Sequence, residues 1–400
     1  MNFILYDGMF EWKNLFPITL TRSISEIHLG LFTIKERWEK KLGYKAICIF
    51  TQPFLLKKNS FKKNKILFKN VFIINSSFIP NEELINTIIS LKKNEAISFQ
   101  KNIVAARINI FSYEEYEYKN FFSIKKYSKV YEINKIIHIK NVWDIIVQNK
   151  NILKKDFMFY TKGKRSSTLL GRNILICKER IYLKENIVTN NVVLNAKFGP
   201  IYIDKGVEIM EGCLIRGPVY IGKKTIVNMG SKIYGNTTIG SFCKVGGEIK
   251  NSLLFSYSNK AHDGFLGHSI LGKWCNLGAG TNVSNLRNDY RDVTLWNYEK
   301  KIFSPINMQF FGIIMGDHSK SAINTQFNTA TVIGVCTSIF GYGFPPRYIP
   351  SFSFGGIQCN KRIPFYRVCE TANLMMKRRK KKLSILEEKI LEHLYKMSNV

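Results

Sequence analysis

Apolar residues recur at every sixth position from about Leu175 onward. The clearest run has eight consecutive members: Ile203, Ile209, Ile215, Ile221, Val227, Ile233, Ile239 and Val245. A period of six fits neither an α-helix nor a plain strand. It is typical of a hexapeptide-repeat β-helix, in which each hexapeptide forms one face of a triangular coil. The pattern therefore predicts stacked coils of about 18 residues, with the aliphatic side chains inside.

Small or β-branched residues follow the aliphatic positions four residues later, near the predicted corners: Val207, Cys213, Val219, Thr225, Ser231, Thr237 and Cys243. The register is looser before this run, at Leu175, Ile181, Ile187 and Val193. It returns at Phe265, Leu271, Leu277 and Val283, and again at Met315, Ser321, Phe327, Ile333 and Ile339. We therefore predict a left-handed parallel β-helix over 171–360. Cys213, Cys243 and Cys275 are interpreted as packing residues.

The repeat is interrupted twice. The segment Asn259–His268 carries two of the six histidines, and the residues 288–310 are predicted to form a long loop. Loops of such length in a compact domain are usually functional. Beyond the repeat, residues 373–400 show a helical stripe that predicts a C-terminal helix, opened by the basic run at 377–382: Leu383, Leu386, Ile390, Leu394 and Met397.

The first 165 residues have a different pattern. The short apolar runs NFILYDG, YKAICIF and NVFIINSSFI predict buried strands, and Ser23–Gly43 predicts a helix that ends at Gly43. This alternation indicates an α/β domain over 1–165. A polar stretch, YTKGKRSSTLLG, is expected to connect it to the β-helix.

The formal net charge of +31 raises the question of an anionic partner. The lysines are scattered among asparagines and isoleucines, so compositional drift in an AT-rich genome is the favoured explanation, followed by anionic substrates and then nucleic acid. The eight cysteines include no CxxC pair and are expected to be reduced. No signal peptide or apolar run of about 18 residues is evident. These features predict a cytoplasmic protein without a membrane partner.

Several strings resemble a bacterial family of sugar nucleotidyltransferase-like proteins: LFPITLTRS, GPIYI, SNKAHDGFLGHSILGKWCNLGAGTN, LWNY and IMGDHSK. This family is related to the bifunctional uridyltransferase/acetyltransferase that makes UDP-N-acetylglucosamine for the cell envelope. The resemblance implies a shortened nucleotidyltransferase-like Rossmann-type sheet joined to the hexapeptide β-helix. It also implies a transferase that uses acetyl-CoA, acts on a sugar phosphate or nucleotide sugar, and assembles as a homotrimer.

The resemblance assigns roles to residues of the β-helix. His262 would be the general base that accepts the proton of the amine of glucosamine 1-phosphate, a role suited to an imidazole. Glu248 would steady the reaction, and Lys250 and Lys232 would bind phosphate. Asn285 would contact the sugar phosphate. Four residues are implied near acyl-CoA: Gly278, Ala279, His318 and Ser319.

A coil of about 18 residues would also place Lys232 directly over Lys250, as a clamp for phosphate. Two positions depart from the family pattern, since a tyrosine is replaced by Phe265 and an asparagine-tyrosine pair by Asn285-Leu286.

The first domain lacks the family's glycine-rich triphosphate loop. Lys13 and Arg22 are its candidate phosphate ligands. Mg²⁺ is a candidate cofactor in the case that nucleotidyl transfer is active, although no carboxylate pair for it is evident.

Three functions remain open on the sequence. The leading one is acetyl transfer to an amino-sugar phosphate, coupled or not to uridylyl transfer. The second is a sugar-1-phosphate nucleotidyltransferase whose β-helix is not catalytic. The third is a solenoid without enzymatic activity that binds polyanions through its lysine surface, and it predicts salt-sensitive binding that His262→Ala does not change.

Overall fold

The computed structural model describes residues 1–56, 68–111, 123–357 and 361–398. Residues 358–360 and 399–400, where the predicted β-helix and C-terminal helix end, lie outside the described residues. The chain forms two compact units. Unit 1 contains 1–15, 21–27 and 32–144, and unit 2 contains 16–20, 28–31 and 145–400.

A six-stranded mixed sheet organises unit 1, with the strand order β4 (Cys48–Phe50), β1 (Phe3–Tyr6), β5 (Phe68–Asn75), β8 (Asn102–Phe111), β7 (Glu95–Phe99) and β9 (Lys129–Glu132). β1 runs parallel to β4 and β5, and β8 runs antiparallel to β5 and β7. The strands of the first 144 residues are β1 (Phe3–Tyr6), β2 (His28–Leu29), β3 (Phe32–Thr33), β4 (Cys48–Phe50), β5 (Phe68–Asn75), β6 (Phe78–Ile79), β7 (Glu95–Phe99), β8 (Asn102–Phe111), β9 (Lys129–Glu132) and β10 (Ile137–His138). All four residues of β1 are fully buried, as expected for a strand covered on both faces. The predicted α/β class is confirmed.

The helices in and after unit 1 are α1 (Met9–Asn14), α2 (Ile34–Leu42), α3 (Glu82–Ser90) and α4 (Val142–Thr161). The helix predicted over 23–43 is only half correct, because α2 begins at Ile34. Thr33 and Glu36 form a reciprocal capping box there, which starts the helix, and Gly43 ends it with a φ of 77°. No helix of the described residues is long and apolar enough to cross a membrane.

Unit 2 is a β-solenoid of about 10 turns from residue 174 to 355. Three stacks of parallel strands form its faces. The first face contains Ile174–Ile176, Val193–Asn195, Leu214–Arg216, Lys232–Ile233, Glu248–Lys250 and Phe265–Gly267. The second contains Ile181–Leu183, Ile201–Ile203, Val219–Ile221, Thr237–Ile239, Leu253–Leu254, Ile270–Leu271, Ile314–Met315, Val332–Ile333 and Tyr348–Ile349. The third contains Val188–Thr189, Glu208–Ile209, Ile226–Val227, Lys244–Val245, Asn259–Lys260, Asn276–Leu277, Lys320–Ser321, Ser338–Ile339, Ser353–Gly355 and the antiparallel Lys361–Arg362.

The predicted aliphatic positions of the long run all face the interior. They are at most 2% exposed, and they stack at the predicted spacing, for example Ile203 beside Ile221 and Ile209 beside Val227. Cys213, Cys243 and Cys275 are also buried, in agreement with a packing role. The left-handed β-helix is confirmed.

The predicted register is wrong at two positions. Leu194 and Leu266 are fully buried, whereas the predicted Val193 and Phe265 point outward from the first face. The cause is coil length. Leu266 and the next predicted interior residue, Leu271, are five residues apart instead of six, so the buried position moves by one from Phe265 to Leu266.

The predicted loop at 288–310 is in part an antiparallel hairpin of Thr294–Asn297 and Ile302–Pro305. One further strand pair, Asn282–Val283 with Gln326–Phe327, completes the solenoid.

The single C-terminal helix predicted over 373–400 is instead two helices, α5 (Phe365–Lys377) and α6 (Ile385–Met397). A capping box of Ser384 and Glu387 starts α6, so the basic run lies between the helices.

Candidate functional site

The predicted phosphate and acid residues lie on the first face, but not in the predicted arrangement. Lys232 is the direct cross-strand neighbour of Glu248, sixteen residues later, and Glu248 is the neighbour of Phe265. The predicted stack of Lys232 over Lys250 is therefore wrong. The coil between them is two residues shorter than the regular one, which brings a carboxylate rather than an ammonium group beside Lys232.

Lys250 pairs instead with Gly267. A Cβ atom on Gly267 would lie 2.5 Å from Cζ of Phe265 and 2.6 Å from Nδ2 of Asn285. Because these two side chains close over the glycine, any larger residue would displace them. Lys250 is also bonded through its carbonyl to the residue that follows Gly267.

That following residue is His268, which has a left-handed backbone with a φ of 49°. Its amide donates to the Lys250 carbonyl at 2.9 Å, and its own carbonyl accepts from the Gly312 amide at 2.9 Å. These two bonds fix the histidine at a corner of the solenoid. Asn251, Tyr257 and Trp274 have the same left-handed conformation, so it belongs to the corners of the solenoid and does not by itself mark a functional position.

The His268 imidazole is held in one orientation. Nδ2 of Asn285 donates to its Nδ1 at 2.7 Å, and its ring stacks on Phe310 with centroids 5.5 Å apart. Burial first, and then the positive charge of Lys250, lower the pKa of His268 to about 4. The ring is thus neutral near pH 7, and with Nδ1 accepting, its Nε2 carries the proton. His268 in this form is a hydrogen-bond donor and not a base.

His262 lies in the turn that precedes Phe265–Gly267, and its side chain is exposed. The turn packs closely on Gly246 and Gly247, where a Cβ atom would lie 2.2 Å from the Ala261 carbonyl oxygen and 2.9 Å from that of His262. Nδ2 of Asn228 also donates to the Ala261 carbonyl at 2.7 Å. The backbone at His262 is therefore fixed while its imidazole faces solvent.

A buried lysine holds the same turn from inside. Lys260 occupies an inward position beside Val245 and is 2% exposed. Its Nζ donates to the Gly246 carbonyl at 3.1 Å and to the carbonyl of His262. Burial lowers the pKa of Lys260 to about 8, against a smaller opposing effect of Asp263.

The residues implied near acyl-CoA fall at two different corners. Gly278 and Ala279 follow the third-face strand Asn276–Leu277, and they are bonded to the coil above through Ser321 and Asn324. His318 and Ser319 lie at the other end of Lys320–Ser321. The Ser319 side chain is fully buried and donates to the Gly334 carbonyl at 2.7 Å, so it faces the interior.

Polar groups gather in unit 1 at the carboxyl ends of β1 and β5. Asp7 follows β1, is 1% exposed, and accepts bonds from Ser23 Oγ and from the Ile24 amide, both at 3.0 Å. Burial raises the pKa of Asp7 to about 6. Nearby along the chain, Glu11 pairs with His138 at 3.1 Å. In an open α/β sheet, ligands bind at such an edge.

The two phosphate candidates of the first domain differ in exposure. Lys13 lies in the last turn of α1 and is exposed, whereas Arg22 is 2% exposed. The connection from β1 to α1 is only Asp7-Gly8, in agreement with the absence of a glycine-rich loop.

Comparison with known proteins agrees with this architecture. Residues 3–165 match the family described as sugar nucleotidyl transferase. The bifunctional protein GlmU of Methanococcus aeolicus is 27% identical over 272 residues, which are 66% of this chain and 64% of that protein. This chain is related to the GlmU proteins. The GlmU of Wolbachia pipientis wMel is 29% identical over 150 residues, 35% of this chain and 34% of its own length.

A further relative is the bifunctional sugar-1-phosphate nucleotidylyltransferase/acetyltransferase of Sulfurisphaera tokodaii, 28% identical over 153 residues, 38% of each chain. The GlmU-related chain thus spans less than two thirds of the length of each of these three relatives. The name of the Sulfurisphaera tokodaii relative describes a transferase that acts on sugar 1-phosphates.

Two residues of the GlmU-related chain escaped the sequence analysis as site residues. Lys260 lies fifteen residues after Val245 and pairs with it, at an inward position where the repeat otherwise has an aliphatic residue. A lysine at such a position could have been noticed in the sequence. His268 had no comparable signal, because its contacts with Asn285 and Phe310 join segments far apart in sequence.

Proposed function

We propose that this chain transfers an acetyl group from acetyl-CoA to the amine of an amino-sugar phosphate at the first face of the solenoid. The observation that supports this most strongly is the register of the first face, which pairs Glu248 with Phe265 and Lys250 with Gly267 in the strand that follows the exposed turn of His262. An ammonium group beside amide and imidazole donors suits a phosphate and the hydroxyls of a sugar.

In the proposed step, the amine nitrogen attacks the thioester carbonyl carbon. The new N–C bond forms as the C–S bond breaks, the amine proton moves to His262, and the sulfur leaves as coenzyme A once protonated. Neutral His268 donates a hydrogen bond from Nε2 to an oxygen of the substrate. Lys250 binds the phosphate, and Glu248 orients the amine.

The test is coenzyme A release from acetyl-CoA and glucosamine 1-phosphate. His262→Ala is expected to lower turnover by about 10²- to 10⁴-fold, the usual contribution of a general base. His393→Ala is the matched control, because His393 is an exposed histidine of α6, and it should retain full activity. Undiminished turnover of His262→Ala would remove this histidine from the mechanism.

A second activity, nucleotidyl transfer by unit 1, is supported by the family match over residues 3–165 and by the polar edge at Asp7. Its assay is pyrophosphate release from UTP and a sugar 1-phosphate. Magnesium fits this edge poorly as it stands, since both oxygens of Asp7 accept bonds from the chain and Glu11 is engaged by His138.

Assembly as a homotrimer is part of the proposal, and size-exclusion chromatography with light scattering tests it. A polyanion-binding solenoid would instead bind heparin with steep salt dependence and no acetyl transfer.

A further inference from the structure

The described part of unit 2 contains an open cavity of about 330 Å³ beside the hairpin, and two of its lining residues, Ser284 and Leu286, flank Asn285 in the sequence. Two arginines, one aspartate and several hydroxyl and amide groups line it: Arg287, Arg347, Asp289, Ser284, Asn328 and Thr329. We refer to it as the arginine pocket. Its volume lies at the small end of the range for ligand sites, which begins at about 300 Å³.

Arg347 is fixed in the wall of the pocket. Its Nε donates to the Thr329 carbonyl at 3.2 Å, and its Nη2 donates to the Thr294 carbonyl and to Thr294 Oγ1 at 3.1 Å. The guanidinium also lies over the Phe303 ring, 4.5 Å from the centroid. Nε and Nη2 donate to these protein acceptors, so Nη1 remains as the nitrogen of Arg347 that can donate to a ligand. The other bonds hold the guanidinium group in place for it.

The charges of the pocket are incompletely balanced. Arg287 makes a bidentate ion pair with Asp289, with N to O distances of 2.8 Å and 2.5 Å. Two guanidinium groups and one carboxylate leave a net charge of +1 on the lining. Burial, and then the charge of Arg287, lower the pKa of Arg347 from its ordinary value. Binding of an anion would relieve this repulsion.

We propose that the arginine pocket binds the phosphoryl group of a phosphorylated small molecule. Guanidinium groups match phosphate oxygens in a planar, two-pronged geometry, and the Asn328 amide and the Ser284 hydroxyl line the same wall. The pocket is larger than a phosphate ion, so it also has room for an organic group. This inference does not depend on acetyl transfer at the first face.

The experiment is calorimetric titration of the full-length protein with inorganic pyrophosphate, and separately with acetate at the same ionic strength. Wild type should bind pyrophosphate and not acetate. Asn328→Asp places a carboxylate in the lining, and it should weaken pyrophosphate binding by about tenfold or more. The Asn328 side chain is half-buried at the wall, so this variant should keep the wild-type circular dichroism spectrum and melting temperature.

Two further variants define the site. Arg347→Met should also weaken binding by about tenfold or more. Arg216→Met is the matched control, because Arg216 is an exposed arginine that also lies over a ring, 5.1 Å from the Phe198 centroid, and it should bind normally. Lys250→Met removes the ammonium group of the proposed acetyl-transfer site and should leave unchanged the part of pyrophosphate binding that Arg347→Met removes, which separates the pocket from that site.

Fluorescence of Trp296 gives a local readout, since its ring stacks on Tyr348, next to Arg347, with centroids 4.2 Å apart. Three results would each overturn the proposal: no binding of pyrophosphate by wild type at millimolar concentration, equal binding by wild type and folded Asn328→Asp, or loss of binding in Lys250→Met alone.

Discussion

Lys260 provides the sharpest test of the solenoid interior. Its ammonium group is buried at a position that the repeat gives to aliphatic residues, and its pKa is lowered from 10.5 to about 8. The unfolded chain therefore holds this proton more tightly than the folded one between about pH 8 and 10.5. Stability should rise with pH through that window, by about 1.4 kcal/mol per pH unit, because the folded state no longer has to keep a buried charge.

The perturbation is Lys260→Met, which keeps the length of the side chain and removes the charge. A pKa shift of this size lowers the free energy of unfolding of wild type by about 3 kcal/mol near pH 7. At that pH, Lys260→Met should therefore unfold at a higher urea concentration than wild type. The difference between the two should shrink as pH approaches 10. Lys260→Met should also have a lower rate of acetyl transfer than wild type, because methionine cannot donate a hydrogen bond to the carbonyl of His262.

The assay is urea unfolding followed by far-ultraviolet circular dichroism at several pH values. Lys244→Met is the control, since Lys244 is a partly exposed lysine on the same face and the same type of substitution is made there. Identical pH slopes for wild type and Lys260→Met would refute a buried, protonated Lys260.

Three further outcomes are expected. Ile221→Asp should prevent folding of the solenoid, since it buries an unpaired charge at a fully buried position at a cost of several kcal/mol, and soluble yield and circular dichroism measure this. Gly267→Ala should abolish acetyl transfer with little change in melting temperature, because the new Cβ displaces Phe265 and Asn285; normal turnover would contradict it. The His268 ring should stay neutral from about pH 5 to 8 in NMR titration, since its pKa is lowered to about 4.

Much of the architecture followed from local pattern. The six-residue period fixed which side chains of the long run enter the core, since each hexapeptide repeats the same backbone shape whatever its neighbours are. The fully apolar β1 likewise identified a buried strand without further information. Glu248 and Lys250, which the resemblance named, lie on the first face, and their roles stay a prediction.

The tertiary structure decided what lies next to what. Coil length varies with the corner conformations, so Lys232 faces Glu248 rather than Lys250, and Leu266 replaces Phe265 inside. The pairing of His268 with Asn285 depends on stacking between coils. A period in the sequence specifies the direction of each side chain, but only the closed coils, with their backbone hydrogen bonds satisfied by the neighbouring coil, determine which side chains meet.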